Sequence, residues 1–323
     1  MGLRPENLQA LEKALSRRAS FIKKSNSEKT NAYRLFSGEK EGIAGLVIDR
    51  LASVLIFQVH EGKAQFGEAE LLEIGQYLMN VTGAQSVYRK IFVSDRSKKT
   101  ASDEYYSAEP FLGEVAAETV EILENGLRFL VKPYDGYSTG IFLDQRENRL
   151  LLAEKARKKT VLNLFSYTCG FSVAAASQGA RTTSVDLSKN YLDWGKRNFL
   201  QNEIDLKQHE FYAEDTFSFL KRCRKQGRVF DTVIVDPPSF SRSKKDGVFS
   251  LKKDFKKLLI AASEVVAPKG LLFFSCNFSE WDSAGLQRVV LNTLSGAKAE
   301  RLPGAPVDFK MENAPLTQVL VRL

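Results

Sequence analysis

The chain has 323 residues, of which 43% are hydrophobic and 27% charged, a composition typical of globular proteins that excludes extended disorder. It has no run of about 18 apolar residues and a charged N-terminus, so it is not expected to cross a membrane, and we predict a cytoplasmic protein. Three cysteines and two histidines without paired metal-ligand spacing argue against disulfides and a zinc site.

The first part of the chain predicts a basic helix followed by a small α+β domain. Residues 6–25 have the pattern of a basic helix, and we assign residues 1–30 to it and 31–150 to the small domain. Within that domain the pattern predicts strands in 45–59, a helix over 64–79, a strand over 85–93 and a hairpin of 120–123 with 127–131. The polar segment 94–106 is expected to be a flexible loop.

From residue 160 onward, strands and helices alternate with short connections, which predicts a doubly wound α/β domain over 151–323. Seven strands are predicted, over 160–165, 182–185, 209–213, 230–235, 271–276, 297–302 and 317–323. Five helices are predicted, over 171–178, 188–202, 216–225, 252–266 and 279–293. Ser188 is the predicted N-cap of the second of these helices, and Ser279, three residues before Asp282, is predicted to begin the last one with an imperfect capping box.

A strand in FDTVIVDPPSF (230–240) ends at Asp236 and runs into two prolines, which cannot continue a ladder of hydrogen bonds. Pro237, Pro238 and Phe240 then form a rigid shelf on which a flat base can stack while Asp236 bonds to its edge. Such a shelf is typical of S-adenosylmethionine-dependent methyltransferases that modify planar nitrogen-bearing groups. Alternatively, Asp236 only opens a turn before proline.

The turn after the first strand of this domain, SYTCG (166–170), offers backbone N–H groups at a helix start, where the methionine carboxylate of S-adenosylmethionine can bind. It lacks the G-x-G-x-x-G fingerprint, which argues against a nicotinamide cofactor. Asp186 can accept both ribose hydroxyls, or cap the next helix. Asp215 can accept from the adenine amino group, or cap the helix that follows. The predicted cofactor-binding residues of this domain are Asn163, Phe165, Ser166, Tyr167, Thr168, Gly170, Asp186, Leu187, Asp215, Thr216 and Asp236.

A net charge of +8 favours polyanionic partners. Residues 242–257, directly after the shelf, contain seven basic and two acidic side chains. A solvated helix face explains part of this cluster, but its position beside the shelf indicates a nucleic-acid substrate. The predicted substrate-binding residues are Pro237, Pro238, Phe240, Lys244, Lys245, Lys252 and Lys253.

Five ordered segments resemble the ribosomal large-subunit RNA methyltransferases of the RlmI and RlmK kind. They are TNAYRLFSGEKEGIAGLVIDR (30–50), STGIFLDQRENR (138–149), VLNLFSYTCGFS (161–172), ARTTSVDLS (180–188) and VDPPSFSRSKK (235–245). The resemblance implies a Rossmann-like class I methyltransferase domain of seven strands after a small α+β domain, S-adenosylmethionine as cofactor, and 23S ribosomal RNA as substrate.

The resemblance also implies that a hairpin segment of the small domain folds over the cofactor. Its implied cofactor-binding residues are Thr139, Gly140, Phe142, Asp144, Gln145 and Arg146. Taken alone, the residues 138–149 predict a strand that runs into a charged helix, with Asp144 as N-cap and with Arg146 and Arg149 exposed to solvent.

The chain departs from that family at two places. RlmI-like proteins usually begin with a PUA-type RNA-binding domain, whereas a short basic helix stands here, so the remaining surfaces are expected to recognise the target. The family turn usually has glycine at the position of Cys169. If this position requires a positive φ, cysteine adds strain on the order of 1 kcal/mol.

Two methylation reactions remain open from the sequence. Carbon 5 of cytosine needs covalent activation, and Cys276, beside the Asp236 shelf in such a sheet, is the candidate thiolate, with Asp236 bonding the ring nitrogen. Ser-Cys-Asn (275–277) also resembles the nucleophile segment of pyrimidine-5 RNA methyltransferases. However, residues 190–199 and 236–255 look closer to RlmK-type guanine-N7 enzymes, which need no cysteine. In that case Cys276 is a buried apolar residue.

Two other functional classes are compatible with the sequence. A small-molecule methyltransferase would share the cofactor site but lack salt-dependent affinity for ribosomal RNA. A non-catalytic RNA-binding module would share the basic surface without binding S-adenosylmethionine. The sequence leaves open whether the protein is a monomer or a homodimer.

Overall fold

The computed structural model describes residues 3–92, 106–136, 138–243, 247–276, 282–311 and 316–323. Contacts divide the chain into two units, Met1–Asp144 with Pro306–Asn313 and Gln145–Ala305 with Ala314–Leu323. This division falls six residues before the predicted boundary at 150, because the helix that starts at Arg146 packs with the second unit. Of the predicted loop over 94–106, only Tyr106 lies within the described residues.

The first unit is a five-stranded sheet with two helices and a separate hairpin. Its elements are α1 (Pro5–Lys29), β1 (Ala32–Ser37), β2 (Leu46–Leu51), β3 (Val54–His60), α2 (Glu68–Thr82), β4 (Ser86–Phe92), β5 (Leu112–Gly113), β6 (Val120–Glu124) and β7 (Leu127–Val131). The sheet order is β1-β2-β3-β4-β5, and only β3 and β4 pair in parallel. Helix α1 buries Leu11 and Ala14 in the apolar core of this unit, so the predicted N-terminal helix is part of the small domain's core.

The predicted hairpin at Asn125-Gly126 is present, and both turn residues have positive φ, 51° and 83°, as a type I′ turn requires. The segment that follows it differs from the prediction. No described residue between 138 and 142 belongs to a strand, and Leu143–Gln145 forms a 3₁₀ turn before α3 (Arg146–Lys155). The chain turns at Gly140, whose φ is 113°, so residues 139–146 form neither a strand nor a hairpin.

The predicted cap of α3 is also wrong. Gln145, not Asp144, is the N-cap residue, and its side chain makes no capping hydrogen bond. The helix places Arg146 and Arg149 in its buried positions, with only 1% and 3% of their surface exposed, so neither is the solvated side chain that the charged sequence predicts.

The second unit is built on the predicted seven-stranded sheet. Its further elements are β8 (Thr160–Leu164), α4 (Gly170–Ser177), β9 (Arg181–Asp186), α5 (Lys189–Gln201), β10 (Glu210–Ala213), α6 (Thr216–Lys225), β11 (Phe230–Val235), β12 (Phe240–Ser243), β13 (Gly247–Ser250), α7 (Leu251–Ser263), β14 (Val266–Cys276), α8 (Ser283–Thr293), β15 (Lys298–Glu300) and β16 (Thr317–Arg322). The order is β10-β9-β8-β11-β14-β16-β15, with β16 antiparallel to both neighbours. The predicted Rossmann-like fold class is confirmed.

Helices cover both faces of this sheet, which is why its strands read as nearly continuous apolar runs. Alternate residues of one strand pack on opposite faces. In β11, Val233 and Val235 join a cluster that includes residues of α6, α7 and α8, whereas Ile234 joins a cluster with residues of α3 and α4. The same alternation in β14 decides which side chains face the candidate site.

Three local predictions in this unit need correction. The basic segment after the shelf contains the hairpin β12–β13, which its charges concealed. Helix α7, predicted to reach residue 266, ends at Ser263. Residues 267–270, which separate the predicted helix from the predicted strand, are an insertion inside β14, whose pairing with β11 passes from Val266 to Leu271. Helix α8 begins at Ser283 because Asp282 caps it, accepting from the Gly285 N–H at 2.6 Å. The predicted start, Ser279, lies outside the described residues.

Within the described ranges, no helix combines the length and the apolar character needed to cross a membrane.

Candidate functional site

The carboxyl ends of the parallel strands β8, β9, β10, β11 and β14 meet at one edge of the second unit's sheet. In open α/β sheets this edge is where ligands bind. Asp186 is the last residue of β9, and Asp236 directly follows β11. The fold therefore brings the two predicted acidic residues to the same edge of the same sheet.

The loop after β8 has an unusual backbone. Phe165, Tyr167 and Cys169 have φ values of 56°, 48° and 63°, so every second residue is left-handed. The N–H groups of Ser166, Tyr167 and Cys169 donate to the Val185 carbonyl, the Asp186 carboxylate and the Ser166 carbonyl, so the donors that an anion can use lie at the start of α4. Position 169 thus has the positive φ at which cysteine is expected to add strain. The loop leads into α4 at Gly170, as the sequence predicts for a cofactor-binding turn.

Asp186 ties this loop to the start of α5. One of its carboxylate oxygens accepts from the Tyr167 N–H at 2.8 Å and the other from the Ser188 N–H at 2.9 Å. Burial raises the pKa of Asp186 above its ordinary value, and the two backbone hydrogen bonds act in the opposite direction. Ser188 is the cap of α5, as predicted, and accepts from the Tyr191 N–H at 3.3 Å. Each oxygen of Asp186 keeps a second lone pair for a further donor.

Two other predicted cofactor residues have structural roles. Asn163 is buried and donates from Nδ2 to the Ser172 hydroxyl at 2.9 Å, which joins β8 to α4. Asp215 accepts from the Ser218 N–H at 2.9 Å and caps α6, so the capping interpretation of this residue is confirmed. Thr216 is the buried first residue of that helix, and Leu187 is exposed beside Asp186.

Ser166 and Thr168 in the loop are both buried, and the Thr168 carbonyl accepts from Asn198 Nδ2 at 3.0 Å. This bond links the loop to α5 at a second point. The loop is thus attached to β9 and to α5, which stabilises its strained backbone.

Asp236 is held by side chains from two other elements. Its Oδ1 accepts from the Ser275 hydroxyl at 2.5 Å, and its Oδ2 accepts from Gln145 Nε2 at 3.2 Å. Pro237 is buried and fixes the chain, whereas Pro238 is exposed and Phe240 is 56% exposed. The shelf therefore combines a positioned carboxylate with an accessible aromatic ring. Ser275 had no predicted role, although its position one residue before Cys276 places it at the same strand end as Asp236.

Cys276 does not lie beside the Asp236 carboxylate. Strands β11 and β14 are neighbours, with Val235 opposite Phe274. Because side chains alternate, Ser275 faces Asp236 while Cys276 packs on the other face, in the apolar cluster with Phe274. Only 1% of Cys276 is exposed. This conformation does not meet the expectation that the thiol adjoins Asp236, because the sequence assigned the residue to the right strand end but not to a face.

The remaining predicted residues are distributed over both units. Thr139, Gly140, Phe142 and Asp144 belong to the first unit, where Phe142 is exposed and the Thr139 carbonyl accepts from the Lys132 N–H at 2.9 Å. Gln145 and Arg146 belong to the second unit. Lys252 and Lys253 are exposed in the first turn of α7. Lys244 and Lys245 lie outside the described residues.

Comparisons with known proteins decide the family. The sequence model of a family described as S-adenosylmethionine-dependent methyltransferase matches residues 34–301. This chain belongs to that family. The cofactor of that family is S-adenosylmethionine.

Individual relatives agree with this assignment. The chain is 34% identical to ribosomal RNA large subunit methyltransferase I of Klebsiella pneumoniae (strain 342) over 249 residues, which are 76% of this chain and 60% of that protein. It is 35% identical to the protein of the same name from Aeromonas salmonicida (strain A449) over 272 residues, 84% of this chain and 66% of the relative. The chain thus spans about 60% of the length of the first of these relatives.

Solved structures are similar over nearly the whole chain. SMU.776, a putative methyltransferase complexed with SAH, superposes with a TM-score of 0.84 at 31% identity, over 98% of this chain and 80% of that one. A putative SAM-dependent methyltransferase from Streptococcus mutans has a TM-score of 0.82 at 28% identity, with 100% and 83% covered.

The chemistry of this edge fits the methyltransferase cofactor. S-adenosylmethionine has a carboxylate, which the N–H groups at the start of α4 can bind, and ribose hydroxyls, which need acceptors such as Asp186. The methyl group is supplied by the sulfonium of the bound cofactor. What the protein residues contribute is binding, orientation and a positioned carboxylate at Asp236.

The side chain of Cys169 occupies space that is open only because residue 195 of α5 is glycine. Cys169 is fully buried, and burial raises the pKa of its thiol to about 12, so it is inert at neutral pH. A Cβ atom at Gly195 would lie 2.4 Å from Cys169 Sγ and 2.9 Å from its Cβ, closer than real contacts allow. The cysteine in the loop therefore requires the glycine in the helix.

We expect Gly195→Ala to displace the loop, to lower the free energy of unfolding by about 1–3 kcal/mol through overpacking, and to weaken S-adenosylmethionine binding. The double variant Cys169→Gly/Gly195→Ala should recover both properties, because the smaller loop residue makes room for the new methyl group. Denaturant unfolding and isothermal titration of the two single variants and the double variant measure the coupling. Additive effects in this cycle would contradict the steric dependence.

Proposed function

We propose that this methyltransferase methylates a base of 23S ribosomal RNA. The observation that carries the proposal is the shelf at the end of β11, where the Asp236 carboxylate, held by Ser275 and Gln145, is followed four residues later by the exposed ring of Phe240. An aromatic ring stacks on an unpaired base and a carboxylate accepts from the N–H groups on its edge. The relatives named as ribosomal RNA large subunit methyltransferases support RNA as the substrate class.

In this proposal the cofactor lies across the loop after β8. The N–H groups at the start of α4, from Gly170 onward, bind the methionine carboxylate, and Asp186 accepts from the ribose hydroxyls. Asp215 and Thr216 border the adenine, where Asp215 keeps acceptor capacity beyond its helix cap. Following the family resemblance, residues 139–146 are assigned to cofactor binding. The bound cofactor would supply its methyl group to the base held at Asp236.

The basic residues after the shelf are proposed to bind the RNA backbone. The Leu251 N–H donates to the Ser239 carbonyl at 3.1 Å, which attaches the start of α7 to the shelf. Lys252 and Lys253 are therefore exposed within one helical turn of that attachment point. Lys244 and Lys245 of the preceding hairpin are assigned the same role from the sequence. Such contacts position a phosphate chain without reading its sequence.

The double variant Lys252→Ala/Lys253→Ala should bind ribosomal RNA more weakly and with a shallower dependence on salt. Two lost phosphate contacts lower the slope of log affinity against log salt by about 1.4 to 1.8. Arg157→Ala/Lys159→Ala is a matched control, because these exposed cations precede β8 at the opposite edge of the sheet. Filter binding between 50 and 200 mM salt measures both slopes. A wild-type protein without salt-dependent RNA affinity would favour a small-molecule substrate.

For the base itself, we propose carbon 5 of cytosine with Cys276 as nucleophile. The thiolate adds to carbon 6, carbon 5 takes the methyl group, a base removes the proton from carbon 5, and the thiolate leaves. Cys276 ends β14, next to the strand that delivers Asp236, and directly follows Ser275, which bonds to that carboxylate. Covalent attack requires the thiol to turn from the apolar cluster to the face of Ser275.

The burial of Cys276 favours a second candidate, methylation of guanine N7. This nitrogen has its own lone pair and attacks the sulfonium methyl group without a cysteine, so orientation on the shelf is sufficient. In that case Cys276 remains a core residue in the position that the structure gives it.

Cys276→Ala distinguishes the two reactions. If cytosine is the target, the variant should lose methyl transfer by more than about 10³-fold, because carbon 5 cannot attack the sulfonium without covalent activation, while S-adenosylmethionine affinity is retained. Cys223→Ala is the matched control, since it removes a buried thiol of the same cluster from α6. Turnover in Cys276→Ala close to that of the control would eliminate the covalent route and assign guanine N7.

A further inference from the structure

Asp236 is connected to a row of three amide side chains, two of them buried, that come from distant parts of the second unit. Gln318 Nε2 donates to the Pro303 carbonyl at 3.2 Å, and Asn148 Nδ2 donates to Gln318 Oε1 at 2.5 Å. The same Asn148 nitrogen donates to Gln145 Oε1 at 2.6 Å, and Gln145 Nε2 donates to Asp236. We call Gln318, Asn148 and Gln145 the amide relay.

The direction of every hydrogen bond in the amide relay follows from its first partner. The Pro303 carbonyl can only accept, so Gln318 must turn its nitrogen to it and its oxygen to Asn148. Asn148 must then turn its side-chain nitrogen to the oxygen of Gln318. The same nitrogen also contacts Gln145, so Gln145 turns its oxygen to Asn148 and its nitrogen to Asp236.

This arrangement leaves one polar atom of Asn148 without a hydrogen bond, which is energetically unfavourable. Its Oδ1 is one of two buried side-chain polar atoms without a hydrogen-bond partner in the described part of the chain. A buried polar atom without a hydrogen-bond partner lowers the free energy of unfolding by about 1–3 kcal/mol. If residue 148 served only to fill space, an apolar side chain would give a more stable protein. The unsatisfied oxygen therefore indicates that Asn148 serves to donate its two hydrogen bonds, to Gln318 and to Gln145.

At the end of the relay, Gln145 also sets the direction of Ser275. Gln145 Nε2 donates to Ser275 Oγ at 2.9 Å, so the Ser275 hydroxyl hydrogen is left for Asp236 Oδ1. Both oxygens of Asp236 thus receive a hydrogen from the protein. Donors on both oxygens favour the ionised carboxylate, which has no hydrogen of its own to give.

We propose that the amide relay is a positioning device that keeps Asp236 an ionised hydrogen-bond acceptor, so that the base it binds must present an N–H group to it. This inference rests on the proposed function and narrows its substrate. The amino group of cytosine and the ring N–H and amino group of guanine meet the requirement. A base that presents a carbonyl oxygen to Asp236 does not, because two acceptors would face each other.

The test uses Asn148→Asp, which keeps the shape of residue 148 but replaces its donor by an acceptor. The introduced carboxylate competes with Asp236 for the single side-chain nitrogen of Gln145, so one of the two carboxylates is left facing the Gln145 oxygen. We expect kcat for methylation of ribosomal RNA to fall at least about tenfold, or 1.4 kcal/mol, with the KM for S-adenosylmethionine unchanged. Gln145→Met, which removes the donor, should lower kcat to a similar extent. Asn292→Asp on the exposed face of α8 is the matched control.

A comparison with Asn148→Leu separates polarity from packing. Leucine removes the relay without reversing it and alters the shape of the site, whereas aspartate preserves the shape. The proposal predicts a lower kcat for Asn148→Asp than for Asn148→Leu when both proteins are folded at the assay temperature. The opposite order, or a loss that appears only in KM, would overturn it and assign the relay a packing role.

Nuclear magnetic resonance tests the orientation of Gln145 even if the protein does not methylate RNA. The side-chain ¹⁵N–¹H₂ resonances of Gln145, assigned by their loss in Gln145→Met, should shift in Asn148→Asp and not in Asn292→Asp. If wild-type protein binds S-adenosylmethionine but methylates no RNA, the proposed function fails, and these spectra alone decide the relay. Unchanged Gln145 resonances in Asn148→Asp would overturn it.

Discussion

Asp236→Asn is expected to lower kcat for methyl transfer by about two to three orders of magnitude while the dissociation constant of S-adenosylmethionine stays within about threefold. The amide places an N–H₂ group where the Ser275 hydroxyl and Gln145 Nε2 now donate, so one of these donors loses its acceptor. The base then loses both its acceptor and its orientation relative to the methyl group.

Asp231→Asn is a suitable control for this experiment because the residue lies in the same strand, at the other end. Asp231 accepts from the N–H and the hydroxyl of Thr160, at 2.8 and 2.7 Å, and these bonds lower its pKa. Its substitution should reduce stability without changing kcat per folded molecule. Single-turnover assays with circular dichroism for the folded fraction measure both effects. Equal losses of kcat in the two variants would remove Asp236 from the reaction.

The second large effect is expected for Asp186→Ala, which should weaken S-adenosylmethionine binding about 100-fold. The substitution removes the proposed acceptor for the ribose hydroxyls and also releases the Tyr167 N–H, which holds the strained loop against β9. Hydrogen bonds to a charged group contribute about 1.5–3 kcal/mol each, which makes a loss of this size reasonable.

Isothermal titration with S-adenosylmethionine measures this loss directly. Asp193→Ala is the control, since it removes an acidic side chain from the exposed face of α5, where its ion pair with Lys196 at 2.8 Å contributes little. A dissociation constant for Asp186→Ala within about threefold of the control would contradict the assigned ribose site.

The sequence predicted most of the second unit because its signals are local. Buried apolar runs such as Thr160–Leu164 and Phe230–Val235 identify parallel strands, and Ser188 and Asp215 start helices where capping residues are expected. The acidic residues at strand ends follow from the same patterns, because the carboxyl ends of parallel strands share an edge. Fold class and the candidate edge were therefore accessible without coordinates.

What the sequence did not predict depends on contacts between distant residues. The burial of Arg146 and Arg149 depends on the packing of α3 against α4, which no local charge pattern reveals. The opposite faces of Ser275 and Cys276 depend on the register of β14, and a shift by one residue reverses them. The amide relay joins residues up to 170 positions apart, and no periodicity predicts such hydrogen bonds.

The proposed reaction is methyl transfer from S-adenosylmethionine to a base of large-subunit ribosomal RNA. The most direct test incubates the purified protein with methyl-labelled S-adenosylmethionine and 23S ribosomal RNA from cells that lack the gene, followed by nuclease digestion and mass spectrometry of the nucleosides. The account predicts label in one methylated base, 5-methylcytosine for the covalent route or 7-methylguanine for the direct route. RNA without label after incubation with a protein that binds the cofactor would contradict it.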